Sequence, residues 1–279
     1  MANSKWELKP EHEFLSATFN ADKNKQQVEV YKGVEVEVQS TLDSCGLCDM
    51  SFAKKLLISG EGTTNFIHTA FSAKPMLIGQ AGFTCLFSGD GHLIADPLLV
   101  RTGTQEYLVI DTEDRFDAMF TWLNWLVNIE NEDVKVFEGV SIEDVTSAMT
   151  PLLLAGKKSR AILDDYLSDT DVLQIPGTCT SVNLDQIPSV SVRLPMEDEG
   201  YILMVPTQLS RVIWRSLLSF KEVEPIGRLA QKELFENHWF GWMGIKDFED
   251  DDRLPTKMLV EAGIIRSEAD FVGARGLYF

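Results

Sequence analysis

The 279-residue sequence is short of histidine, cysteine and basic residues and has no long apolar run, and each shortage removes a class of function. Its four His residues, His12, His68, His92 and His238, show neither paired helical spacing nor an HExxH arrangement, and no GxSxG elbow occurs. Metallohydrolase and serine-hydrolase chemistry therefore lack their usual carriers. Four Cys cannot frame a chain this long with disulfides. Cys45 and Cys48 in SCGLCDMS have the spacing of a zinc or redox half-site, but a zinc site takes about four ligands and no second pair lies nearby. Buried or incidental thiols are the expectation, with no metal. Apolar runs such as Leu152–Ala155 are broken within a few residues, so no segment reaches the length of a membrane span. The N-terminal MANSKWELKPEHEF lacks the apolar centre of a signal peptide, and a soluble cytoplasmic protein is expected. With 25 basic against 43 acidic residues the formal net charge is -18, which repels a phosphate backbone and argues against nucleic acid as a partner.

What is present suffices for a substantial core, since 44% of the residues are hydrophobic and 24% charged. Alternation predicts strands over Val28–Ser40, Lys55–Ser59, Phe83–Ser88, Glu106–Asp111, Ser189–Leu194 and Gly200–Val205. The last two form a hairpin whose acidic loop, Glu197–Glu199, reads as a solvated turn. Helical spacing predicts helices over Thr63–Ala73, capped by Thr63 or Thr64, and over Asp114–Asn128, Lys158–Leu167 and Leu209–Phe220. Both halves, roughly 1–140 and 141–279, carry strands and then a helix, without a regular strand-helix-strand repeat. An α+β fold with largely antiparallel pairing follows. SGEGTTN (Ser59–Asn65) superficially resembles a phosphate cradle, but Asn65 stands where a dinucleotide fingerprint needs a third Gly, so a helix-capping turn is expected. DFEDDD (Asp247–Asp252) lacks the Gly and terminal Glu of a calcium loop and reads as solvated.

The informative segment is FTCLFSGDGHLIADPLLV (Phe83–Val100), a strand, a tight turn at Ser88–Gly91 and a second strand holding one carboxylate, Asp96, amid apolar neighbours. Asp is a poor strand former, and burying it is costly unless it is hydrogen-bonded or used. On these grounds alone Asp96 serves equally as a site residue or as an Asp closing a turn before Pro97.

This segment resembles that of the glycine-cleavage T-protein family of tetrahydrofolate-dependent aminomethyltransferases, in which the second strand ends in an Asp pair. Ala95 replaces the first Asp and Asp96 matches the second, which the resemblance implies is the catalytic carboxylate facing the reactive nitrogens of folate. Cys45–Ala73 is similar to the family segment with Gly, Asp and Ser at the positions of Gly46, Asp49 and Ser51, and Glu261–Leu277 to its Phe-hydrophobic-Gly close. Over nearly the whole chain, 1–279, the resemblance implies a T-protein-like folate-binding fold of two interleaved antiparallel-sheet subdomains with ferredoxin-like elements, and tetrahydrofolate as cofactor. Phe83 stands at the family's folate-contacting Tyr. Gly200-Tyr201-Ile202-Leu203 stands at a GFEL-like segment, so Ile202 replaces the Glu that bonds the pterin. Arg228 in PIGRLAQKEL is an approximate counterpart of the Arg in a Gly-Ala-Arg-Asp segment. Asp96 is thus the implied catalytic residue, with Phe83, Asp96, Tyr201, Ile202 and Arg228 as implied folate contacts.

The implied function is a one-carbon transferase of the aminomethyltransferase or demethylase type, passing a one-carbon unit from an amino or methyl donor to folate. A non-catalytic folate-binding or assembly protein, and a subunit of a heteromeric demethylase or oxidoreductase, are the alternatives. The iron-sulfur-associated branch has a Lys-Gly-Cys motif, whereas Ala269–Gly273 here has no Cys. The sequence stops just after FVGARGL, so the family's C-terminal β-barrel domain is expected to be absent. A carrier protein, a partner subunit or a second copy is then expected against the surface left bare, to which His238–Trp242 is a candidate contributor. In a chain this acidic the folate glutamate tail needs local bases, with Lys54, Lys55, Lys157 and Arg160 as candidates.

Overall fold

The computed structural model describes residues 6–22, 26–111, 113–132, 134–167, 175–239 and 256–277. The acidic run Asp247–Asp252 and the residues Phe240–Trp242 lie outside them. The chain forms two compact units, Met1–Ala53 with Thr146–Phe240, and Lys54–Val145 with Gly241–Phe279. Among the described residues no helix is long and apolar enough to cross a membrane.

The first unit is built on a six-stranded sheet in the order Thr178–Leu184, Ile187–Arg193, Gly200–Pro206, Met149–Ala155, Cys45–Asp49 and Val223–Pro225. All neighbours are antiparallel except the last pair. One face places Leu47, Leu152, Leu154, Tyr201, Leu203 and Val205 in a core with Ile162, Leu163, Ile213, Trp214 and Leu217, which come from the helices Ser159–Tyr166 and Ser210–Leu218. The expected hairpin forms, with Val192 opposite Ile202. Its acidic loop is more than a solvated turn, because Tyr201 Oη donates to Glu199 and the buried Arg193 Nε lies 3.4 Å from the same carboxylate.

Val28–Ser40 does not form the expected strand: only Val28–Val30 is extended, and Val34–Asp43 is a helix. The VEVEV alternation is overridden by Glu37. Its Oε1 accepts the backbone N–H groups of Tyr31, Lys32 and Gly33 at 2.6, 2.8 and 3.2 Å, satisfying donors at the helix start. Glu37, Val38 and Thr41 then share the buried, helically spaced face.

The second unit has a five-stranded, wholly antiparallel sheet in the order Ser141–Asp144, Lys54–Ser59, Glu106–Asp111, Leu98–Gly103 and Ala81–Phe83. The helices Thr63–Ala70 and Glu113–Val127 bury Phe66, Ile67, Ala70, Phe116, Met119 and Leu123 against Leu56, Ile58, Leu99 and Val109. The expected strand Phe83–Ser88 is broken: Ala81–Phe83 belongs to this sheet, whereas Leu86–Phe87 pairs with Leu93–Ala95. Gly62, with φ of 84°, precedes the helix Thr63–Ala70, and the Thr63 hydroxyl donates to the Gly60 carbonyl at 2.7 Å instead of capping. A Cβ on Gly60 would stand 2.0 Å from the Gly139 carbonyl oxygen, so SGEGTTN is a turn shaped by close backbone packing.

Candidate functional site

Asp96 is held by a short hairpin. The Gly91 amide donates to the Ser88 carbonyl at 3.0 Å and the Ser88 amide to that of His92 at 2.9 Å, which closes the turn expected at Ser88–Gly91. Leu86 then pairs with Ala95, and the Thr84 amide donates to the Pro97 carbonyl at 3.1 Å. Asp96 is fastened on both sides and buried, between the strands Leu93–Ala95 and Leu98–Gly103. Phe83, also buried, is paired with Leu98 and so lies on the strand beside it.

Arg115, from the first turn of Glu113–Val127, places Nη1 3.6 Å from Asp96 Oδ1. A buried carboxylate is costly without such a partner, and the guanidinium compensates it. The neighbouring Cys85 thiol is pushed well up, chiefly by burial and further by the Asp96 charge, with Arg115 opposing. It is an inert thiol at neutral pH.

Tyr201, Ile202 and Arg228 belong to the other unit. Strand alternation separates the first two. The Tyr201 ring enters the core beneath the helices and its hydroxyl is engaged with Glu199. Ile202 faces the opposite side, in a cross-strand row of Cys48, Leu153, Ile202 and Val192. Arg228 opens the helix Arg228–Asn237, stacks 4.6 Å over the Phe52 ring, donates to Gln231 Oε1 at 3.1 Å, and acts on the Cys48 thiol. Ile202 and Cys48 thus share one face of the sheet with Leu153 between them, Arg228 acts on that Cys48 thiol, and Tyr201 is turned to the other face.

The expected bases divide between the two units, Lys54 and Lys55 in one and Lys157 and Arg160 in the other. Lys55 is buried, Arg160 Nε is 2.6 Å from Asp164, and Lys157 Nζ is 3.9 Å from Asp43. Lys54 lies 6.0 Å from the Phe116 ring. Cys45 and Cys48 are buried, with the Cys45 thiol pushed up to about 12 by burial. Among the described residues no group of three or more His, Cys, Asp or Glu side chains is placed to hold a metal ion.

Sequence reasoning missed Arg115, whose one signal is a cation within the acidic stretch TEDRFD. It also missed a buried network in the first unit. Asp49 Oδ2 accepts from Trp6 Nε1 at 2.8 Å and meets His12 Nε2 at 2.9 Å, and His12 Nδ1 meets Tyr31 Oη at 2.7 Å. Asp49 Oδ1 takes the Ser51 amide and hydroxyl at 2.9 and 2.6 Å. This carboxylate ties His12, in the helix Lys9–Phe14, to the strand Cys45–Asp49.

Residues 8–251 match the family profile described as the GCVT N-terminal domain. The chain belongs to the GCVT N-terminal domain family. This GCVT domain is 23% identical over 196 residues to an aminomethyltransferase of Chlorobium phaeovibrioides, covering 67% of this chain and 51% of the relative. It is 23% identical over 257 residues to an aminomethyltransferase of Listeria monocytogenes, covering 88% and 66%. The chain spans about half the length of the first of these relatives. Its fold matches the crystal structure of the glycine cleavage system aminomethyltransferase T from Bartonella henselae with a TM-score of 0.77 at 20% identity, over 96% of this chain and 72% of that one. The expected T-protein fold, α+β with antiparallel sheets, is the fold of this GCVT domain.

Proposed function

We propose that this GCVT domain is the folate-binding, catalytic part of a one-carbon transferase, passing a one-carbon unit from an amino or methyl donor to tetrahydrofolate. Asp96 carries the reading. It is a buried carboxylate on a hydrogen-bonded two-strand platform, with a guanidinium 3.6 Å away, at the position where the resemblance puts the catalytic Asp. Tetrahydrofolate would supply the nucleophilic nitrogen that forms the new C–N bond. Asp96 would accept the proton that nitrogen must lose, at one Oδ atom, and return it to the donor atom whose bond to carbon breaks. Arg115 would keep the carboxylate charged while the site is dry.

The acceptor chemistry of Asp96 suits an N–H group. Ile202 does not suit pterin recognition by a carboxylate, because its cross-strand row is apolar apart from the thiols of Cys48 and Cys179. Any pterin contact there would be by packing. An aminomethyl donor is the first reading, since the relatives are named aminomethyltransferases. A carrier protein or partner subunit presenting that donor belongs to the same proposal. Calorimetric titration with tetrahydrofolate tests it: saturable heat below millimolar ligand is expected, and no heat at millimolar ligand removes folate from the account.

A further inference from the structure

We propose that the second unit contains a separate binding site for an amphipathic monoanion, an apolar body bearing one carboxylate or sulfonate. A cavity of about 680 Å³ opens between the helix Thr63–Ala70 and the sheet, with Ile67, Met76, Leu99 and Tyr107 in its walls. That volume lies in the range of small-molecule sites. None of Phe83, Asp96 and Arg115 lines it, so it is distinct from the site described above.

Its charge is opposite to that of the chain. The sequence has 43 acidic residues, yet no Asp or Glu lines the cavity, while Lys74 and Arg101 do. Arg101 is a fixed wall: its guanidinium donates to the carbonyls of Met76, Gly103 and Thr104 at 2.6, 3.3 and 3.0 Å and lies 5.4 Å from the Tyr107 ring centre. Lys74 differs. It is exposed, and among the described residues it has no hydrogen-bond or ion-pair partner. Its Nζ lies 3.8 Å from where a Cβ on Gly263 would stand. His68, also in the wall, is engaged with Asp270 at 2.9 Å.

An apolar chamber with one uncommitted ammonium selects an apolar body for the walls and one negative charge for the lysine. Polyphosphates and nucleotides fit poorly. Arg101 keeps its charge but has its guanidinium bonded to three carbonyls, so one ammonium is left to contact them, and the net charge of -18 repels them.

The test uses two fluorescent probes of nearly the same shape on the full chain, anionic 8-anilinonaphthalene-1-sulfonate and neutral N-phenyl-1-naphthylamine. Lys74→Glu should weaken the anionic probe at least tenfold and leave the neutral one within twofold. Thr64→Trp, an exposed position lining the cavity, should weaken both. Unchanged melting temperatures would show both variants folded. The proposal is overturned if the wild-type chain binds neither probe, if Lys74→Glu leaves the anionic probe unchanged, or if Thr64→Trp affects neither.

Discussion

Arg115 Nη1 stands 3.6 Å from Asp96 Oδ1, although Arg115 lies in the first turn of its helix, the end where the helix dipole disfavours a cation. Asp96 explains the position. Arg115→Ala should destabilise the protein by about 3 kcal/mol, because it removes the cation beside a buried carboxylate. Combined with Asp96→Asn it should cost less than the two single changes added together, and urea unfolding of the four proteins in a double-mutant cycle measures the coupling.

Asp96→Asn alone should abolish turnover with little change in the fold. The amide keeps the shape and a hydrogen bond, but loses the charge and the capacity to accept a proton. Thermal unfolding and single-turnover transfer, started from methylene- or methyl-tetrahydrofolate and measured on one preparation, separate this from a structural role. Turnover at the wild-type rate would sink the catalytic assignment.

Glu37→Gln should cost about 2 kcal/mol in chemical denaturation. Glu37 Oε1 takes three backbone amides, and Oε2 takes the Gly227 amide at 2.7 Å. Glutamine turns one of those acceptors into a donor facing a donor.

Arg266→Ala should cost about 3 kcal/mol, and Arg266→Lys should recover little of it. The buried guanidinium donates to the carbonyls of Phe71 and Ala73 from Nη1 at 2.6 and 2.9 Å, and to that of His68 from Nη2 at 2.6 Å. It also holds Asp270 at 2.6 Å. An ammonium cannot span that fork. Guanidinium chloride unfolding compares the three proteins.

Asp90 should titrate near pH 2, because the Ser88 hydroxyl and then His92 hold its carboxyl down to about 2 from the ordinary 3.8. A lowered native value means that any stabilisation from this turn is present above the ordinary value and is lost as pH falls toward 2. Ser88→Ala should return the midpoint toward 3.8, as read by carboxyl NMR titration.

Much of the fold was legible because period and burial agree. Glu106–Asp111 is an expected strand with the same bounds, and the stripe Phe116, Met119 and Leu123 forms a core face. The Val28–Ser40 region was not, because its alternation is local while the carboxylate that closes the helix start also reaches Gly227, 190 residues away. At the site, Asp96 was legible as a lone carboxylate among apolar neighbours. Arg115 was not, since nothing near it in sequence marks the Asp it faces. The alternation of GYILMV allowed Tyr201 or Ile202 to face the core, and only the helices packed on that side decide which.

The last described segment closes on the second unit over great lengths of chain. The Arg266 amide donates to the Ser72 carbonyl at 2.8 Å, the Val272 amide to that of Thr69 at 2.9 Å, and Gly276 lies so close to Gly91 that a Cβ there would be 2.8 Å from its carbonyl carbon. During synthesis, then, this unit has its sheet in hand long before its seal. Residues 54–145 leave the ribosome with the surface destined for residues 264–276 still bare, and the intervening stretch must emerge before that surface is covered. A nascent chain halted near residue 239 would be a natural client for a chaperone.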